Sequence, residues 1–155
     1  MKSRVEEAVA RFEEGYNCAQ AVFATYADLF GMKEEDALRL ASPMGGGMGR
    51  MREVCGAVSA MALLEGLKEG NIDPADKNAQ GQTYTMVRTM SDAFARRHGS
   101  IICRELLGIA AREKSAVPSE RTQAYYGSRP CANYVRSAAE FAEEYLFADK
   151  MRNDG

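Results

Sequence analysis

The sequence predicts an all-α protein, one domain over residues 1–155 with about six or seven helices around a buried central helix. Three observations carry that prediction. Apolar residues recur at helical spacing along most of the chain. β-Branched clusters with period-two alternation are almost absent. The 155 residues, 46% hydrophobic and 27% charged, are enough to bury a core without disulfide or metal staples.

Each element has its own signal. Val5, Ala8, Val9 and Phe12 form the stripe of a first helix, with Ser3 and Glu6 as an expected capping box and Gly15 as its stop. Asn17 is placed to cap a second helix reaching Phe30, where Gly31 ends it. A short third helix is expected from Glu34 to Ala41, closed by Ser42–Pro43, because a residue before proline is driven out of the helical region. From about Arg52 to Leu67 the chain is apolar nearly all round between Val54 and Leu64, which predicts the buried central helix. Asp73 and Pro74 offer a cap and a first-turn proline to a helix running towards His98. Ser100 is expected to cap a short helix ending at Gly108. Between Ala111 and Tyr126, Pro118 and the following Gly127 favour a loop with about one helical turn. After Pro130, one face of a last helix carries Val135, Ala138, Ala139, Ala142, Tyr145 and Leu146.

Charge narrows the function classes. The net charge is -2 and both signs are interspersed, so there is no electrostatic footprint for nucleic acid. No apolar run nears the length that spans a bilayer. The opening MKSRVEEAVARFEEG is amphipathic and acidic and lacks the apolar segment of a signal peptide. The expected setting is therefore the cytoplasm, with no nucleic-acid or membrane partner. Thiols stay reduced there, so the four cysteines need an account other than structural disulfides.

Cys18, Cys55, Cys103 and Cys131 form no CxxC, which sets aside zinc-ribbon and thioredoxin-type motifs. What they share is position. Cys18 follows Asn17, Cys55 falls in the first turn or two of the central helix, Cys103 comes three residues after Ser100, and Cys131 follows Pro130. The unsatisfied N–H groups and partial positive charge of a helix N-terminus stabilise a thiolate over a thiol. Arg52, Arg104 and Arg129, close by in sequence, act in the same direction. A thiolate is both nucleophile and metal ligand, so the placement points to redox chemistry or metal binding. One such cysteine is most simply a small buried hydrophobe; four in the same kind of place ask for more. Cys55, beside the glycines and Arg52, is expected to be the most reactive.

The glycines Gly45, Gly46, Gly47 and Gly49 lead through Arg50 and Arg52 to Cys55 and Gly56. The stretch lacks the GK[ST] of a P-loop and the strand of a dinucleotide-binding unit. Its expected role is a tight turn whose backbone passes close to a neighbouring helix or a bound cluster. Arg50 at a helix start is a lesser candidate for binding an anion. His98 is the only histidine, which excludes a catalytic triad or a multi-histidine metal site. Near a helix end it is expected to be a favourable charge at the dipole's negative terminus. Methionines such as Met44, Met48, Met51 and Met61 are expected to fill core gaps. Glu13–Glu14, Glu34–Asp36 and Glu143–Glu144 are expected to be solvated helix faces, without the histidines of a di-iron bundle.

NCAQAV from Asn17, GGGMGR from Gly45, VCGAVSA from Val54, ICRELLG from Ile102, and Cys131 before a helix occur in this order over almost the whole chain. Together they resemble the bacterial redox-active proteins named for their C…GCAxxG…C…C cysteine pattern. The resemblance implies a small helical protein whose four cysteines are its active groups. A related helical domain accompanies the split-Soret cytochromes, where an iron–sulfur site has been proposed, so cluster binding is implied as an alternative. The motif's closing glycine is here Ala60. Two chemistries therefore stand side by side. One is thiol/disulfide exchange among the four cysteines, served by an unknown redox partner protein; the other is an iron–sulfur cluster or zinc held by the same residues. A helical domain with inert thiols is a third reading, and the amphipathic helices suggest a homodimer.

Overall fold

In the computed structural model, which describes residues 1–109 and 114–153, the stripe Val5, Ala8, Val9 and Phe12 lies buried on α1 (Val5–Glu13). The expected capping box is not formed. Arg4 is the cap residue and no side chain bonds there. Ser3 Oγ accepts only the N–H of Val5, at 3.3 Å, while Glu6 turns to Arg136. A guanidinium gives that carboxylate a stronger partner than a backbone N–H.

The second start is as the sequence suggests. Asn17 accepts the N–H of Gln20 at 2.9 Å and Gln20 accepts the N–H of Asn17 at 3.2 Å, a complete box opening α2 (Cys18–Tyr26). This helix ends before Phe30, and a 3₁₀ turn over Ala27–Phe30 runs to Gly31, at φ 78°. α3 (Glu34–Ala41) matches its expected span. The central helix α4 (Gly56–Glu69) starts at Gly56 and not near Arg52, because the preceding backbone is left-handed. α5 (Lys77–His98) is capped by Asp76, which accepts the N–H of Ala79 at 2.9 Å, so Asp73 and Pro74 belong to the turn before it.

α6 (Cys103–Leu106) follows Ile102; Ser100 accepts the N–H of Ile102 at 2.9 Å and caps nothing. α7 (Gln123–Ser128), capped by Thr122, is the expected helical turn, and it continues through Gly127 where a stop was expected. Ala111, Arg112 and Glu113, at the start of that expected loop, lie outside the described residues. α8 (Cys131–Tyr145) and α9 (Ala148–Arg152) complete the chain. Among the described residues there is no strand, and no helix is long and apolar enough to cross a membrane.

α2 and α4 form the centre. α1 lies on α2 and α8, α8 also contacts α4, α5 covers α4 and α8, and α3 covers α2. Ala19, Ala57 and Ala60 are fully buried at this centre, where small side chains let helices approach. Phe23, Met61, Leu64 and Phe94 fill the core, and Tyr26 stacks on Phe147 with ring centroids 5.3 Å apart. Met61 and Met90 fill core gaps as expected, whereas Met48 is exposed.

Two polar expectations are corrected. Glu143 is not on a solvated face: it is buried and accepts from the Tyr26 hydroxyl and the Arg4 N–H, each at 2.7 Å. Without it those two donors would be orphaned beneath α8. His98 is not a dipole charge either. Its Nε2 lies 2.8 Å from Ser137 Oγ and its ring packs on Phe94 and Tyr134. Burial and the neighbouring Arg97 hold its pKa below the usual histidine value.

Candidate functional site

Five successive residues, Gly46 to Arg50, hold φ at 65°, 68°, 61°, 58° and 66°, and Arg52 repeats the conformation at 62°. Residues with a Cβ enter this left-handed region at a cost of roughly 1–2 kcal/mol each. The turn is closed by backbone bonds from Arg52 N–H to Gly46 O and from Glu53 N–H to Gly47 O, both at 3.1 Å. Glycine is needed here for space as well as for handedness. A Cβ on Gly47 would stand 2.7 Å from Glu53 N and 2.8 Å from Cys103 Cβ, and one on Gly45 would stand 2.4 Å from Asn17 Cγ. The backbone thus wedges between the starts of α2 and α6, the close passage the sequence suggested. Gly56 continues the wedge, with Met44 O only 3.0 Å from where its Cβ would be.

Beyond the turn, Val54 and Ile102 form an isolated antiparallel bridge. Cys55 N–H donates to Ile101 O at 2.8 Å and Cys103 N–H donates to Glu53 O at 2.6 Å. The bridge ties the segment carrying Cys55 to the segment carrying Cys103. A one-residue bridge has no periodicity, so nothing in the sequence pattern announces it.

All four cysteines stand at helix starts. Cys18, Cys103 and Cys131 are the first residues of α2, α6 and α8, and Cys55 is the N-cap of α4. They line one cavity of about 380 Å³, and each is a free thiol. Their acidities diverge. The pKa of Cys131 is lowered to about 7: the Cys18 side chain hydrogen-bonds to its sulfur, burial opposes, and Arg129, Arg121 and Arg52 add positive charge. The same bond and burial hold Cys18 protonated, well above the usual thiol range. Burial pushes Cys103 up although Arg52 Nη1 donates to its sulfur at 3.6 Å.

Cys55 is pushed up to about 12, because burial outweighs the N–H groups of Ala57 and Val58. Burial thus weighs against the expectation that Cys55 is the most reactive. Arg52, which precedes it in sequence, reaches Cys103 instead, and Cys55 itself is only 4% exposed. A helix start does not ionise a thiol where desolvation is stronger.

The arginines also rearrange. Arg104 pairs with Glu53 Oε2 at 2.8 Å, which engages its charge away from Cys103. Arg50 sits inside the left-handed turn, not at a helix start, and donates to Ser115 O and Ser119 Oγ at 3.2 and 3.3 Å. Arg121 is a cavity residue that sequence reasoning missed. It donates to Phe12 O and Tyr16 O, both at 3.1 Å, and lies over the Phe12 and Tyr125 rings. Its partners are so distant in sequence that no local pattern could have found it. Tyr134, on α8, and Tyr125 complete the aromatic side of the cavity.

Among the described residues no three His, Cys, Asp or Glu side chains are grouped so as to hold a metal ion. Zinc takes four ligands about a single point, and these sulfurs instead surround a space, so the arrangement does not fit it. An iron–sulfur cluster takes cysteines as thiolates, and a bound metal ionises its own thiol ligands; Cys18, Cys55, Cys103 and Cys131 are the residues that would hold one.

Compared with known proteins, residues 16–145 match the family described as "Putative redox-active protein (C_GCAxxG_C_C)". No curated protein and no solved structure matches the chain.

Proposed function

Because the chain belongs to the C_GCAxxG_C_C family of redox-active proteins, we propose that it is a thiol/disulfide oxidoreductase whose working couple is Cys131 and Cys18. The observation that carries this reading is the meeting of four free thiols in one cavity, where the Cys18 side chain and the arginines lower Cys131 while the other three are raised. A thiol with a pKa near the ambient pH is the best attacking group, since it is ionised without being a poor nucleophile.

The Cys131 thiolate attacks one sulfur of a disulfide R–S–S–R′. The S–S bond breaks, and R′–S⁻ leaves with the proton of Cys18. The Cys18 thiolate then attacks the Cys131 sulfur of the mixed disulfide and expels R–S⁻, which takes a proton from water. Protein dithiol has become disulfide, and the substrate has gained two electrons and two protons. A dithiol on a redox partner protein reverses the exchange and resets the couple. Cys55 and Cys103, both shifted towards the thiol, wall the cavity and do not attack.

Peptide mapping after mild oxidation tests the assignment. One disulfide joining Cys18 to Cys131 is expected, and Cys131→Ser should abolish reaction with disulfides. A crosslink confined to other cysteines, or a Cys131→Ser variant as active as the parent, refutes it.

A further inference from the structure

Arg50, Arg52, Arg121 and Arg129 all line the cavity that holds the cysteines, and among the described residues no Asp or Glu does. The chain has 22 acidic residues against 20 Lys and Arg, so a wall of one sign is not what composition alone would produce. Elsewhere arginines pair with carboxylates, as Arg4 does with Asp28 and Arg97 with Glu140, each at 2.6 Å. Among the described residues Arg52, Arg121 and Arg129 have no carboxylate partner.

Arg52 makes the point most sharply. It is 4% exposed, one nitrogen rests on the Cys103 sulfur, and its Nε has no hydrogen-bond partner. Buried guanidinium donors are ordinarily all satisfied. The cysteines cannot balance the charge, because only Cys131 is shifted towards the ionised form. One thiolate faces the guanidiniums of Arg52, Arg121 and Arg129. A concave wall of one sign concentrates ions of the other. A cavity of about 380 Å³ is within the size range of small-molecule sites, and Tyr125, Tyr134, Leu106 and Leu107 supply apolar contact.

We propose that the disulfide reduced here is a small molecule carrying a carboxylate, held by the cavity arginines while its sulfur meets Cys131. Guanidinium forks match a carboxylate with two parallel bonds, which fixes the position as well as the charge of the ligand. The inference rests on the exchange chemistry proposed above, whose atoms and electrons balance unchanged when R and R′ each bear a carboxylate.

Three small disulfides of similar length separate charge from reactivity: dianionic 3,3′-dithiodipropionate, neutral 2-hydroxyethyl disulfide and cationic cystamine. At about pH 8 and low ionic strength, where charges are least screened, the dianion should form the mixed disulfide at Cys131 at least about tenfold faster than the neutral probe. Cystamine should be slowest. Arg121→Gln and Arg129→Gln should each shrink the dianion-to-neutral ratio several-fold, a comparison within one variant that partial loss of fold does not mimic. Adipate, a dicarboxylate without sulfur, should protect Cys131 from iodoacetamide, and hexane-1,6-diol should not. Equal rates for the three probes and no protection by adipate overturn the carboxylate site. Protection by adipate without exchange by any disulfide keeps that site and overturns the oxidoreductase reading beneath it. Faster reduction of insulin disulfides than of dithiodipropionate overturns the small-molecule substrate in favour of a protein.

Discussion

Cys131 is the cavity thiol lowered towards the ambient pH, and Cys18, as donor to its sulfur, is the largest cause. Removing the donor leaves the Cys131 thiolate with arginine charge alone. Cys18→Ala should therefore move the pH midpoint for iodoacetamide alkylation of Cys131 upward from about 7. A midpoint that stays put would mean the arginines suffice. Sequence reasoning placed all four cysteines near helix starts, because caps such as Asn17 and breaks such as Pro130 are local signals. Its choice of Cys55 runs against the order of acidities, because acidity depends on burial and on long-range neighbours. Arg52 stands three residues before Cys55 yet acts on Cys103, and Arg121 acts on Cys131 from a segment with no motif at all.

The left-handed turn is the element on which the cavity is built. At Gly47, a methyl group meets both a φ of 68° and a backbone nitrogen 2.7 Å away. Gly47→Ala should destabilise the protein by about 2 kcal/mol or more, lowering the melting temperature by roughly 4–8 °C. An unchanged melting curve would show that the wedge against Glu53 and Cys103 can relax. Between α2 and α8 the tie is polar: Tyr26→Phe removes one of the two donors to buried Glu143 and should cost about 1–3 kcal/mol. Urea unfolding measures it, and loss of less than a few tenths would leave Arg4 as the sufficient partner. Helix existence was legible from stripes such as Val5, Ala8, Val9 and Phe12. Their starts were less so, since Glu6 has a distant arginine to choose over its own backbone and Ser100 bonds one residue short of a cap.

Across the whole molecule the thiols make stability depend on pH in two opposed ways. The folded pKa of Cys131, about 7, lies below the ordinary 9.0, so its stabilisation is complete above 9.0 and is lost as pH falls through about 7. Cys55 is raised from 9.0 to about 12, so its contribution is complete below 9.0 and is lost as pH rises towards about 12. Urea midpoints in reductant should climb from about pH 7 to 9 and decline beyond, with Cys131 contributing on the order of 2 kcal/mol to the climb. Cys131→Ser should flatten the climb; a climb that persists in this variant has another source. The all-α class was readable from periodicity, whereas the cavity was not, because it exists only where four distant helix starts meet. That long span has a further consequence. A bond between Cys18 and Cys131 would staple most of the polypeptide into a ring, and rings of roughly a hundred residues gain about 4–5 kcal/mol by restricting the unfolded chain. Heat tolerance and electron affinity would then be linked, so that a change which firms the stapled native form more than the open one also makes the couple harder to reduce.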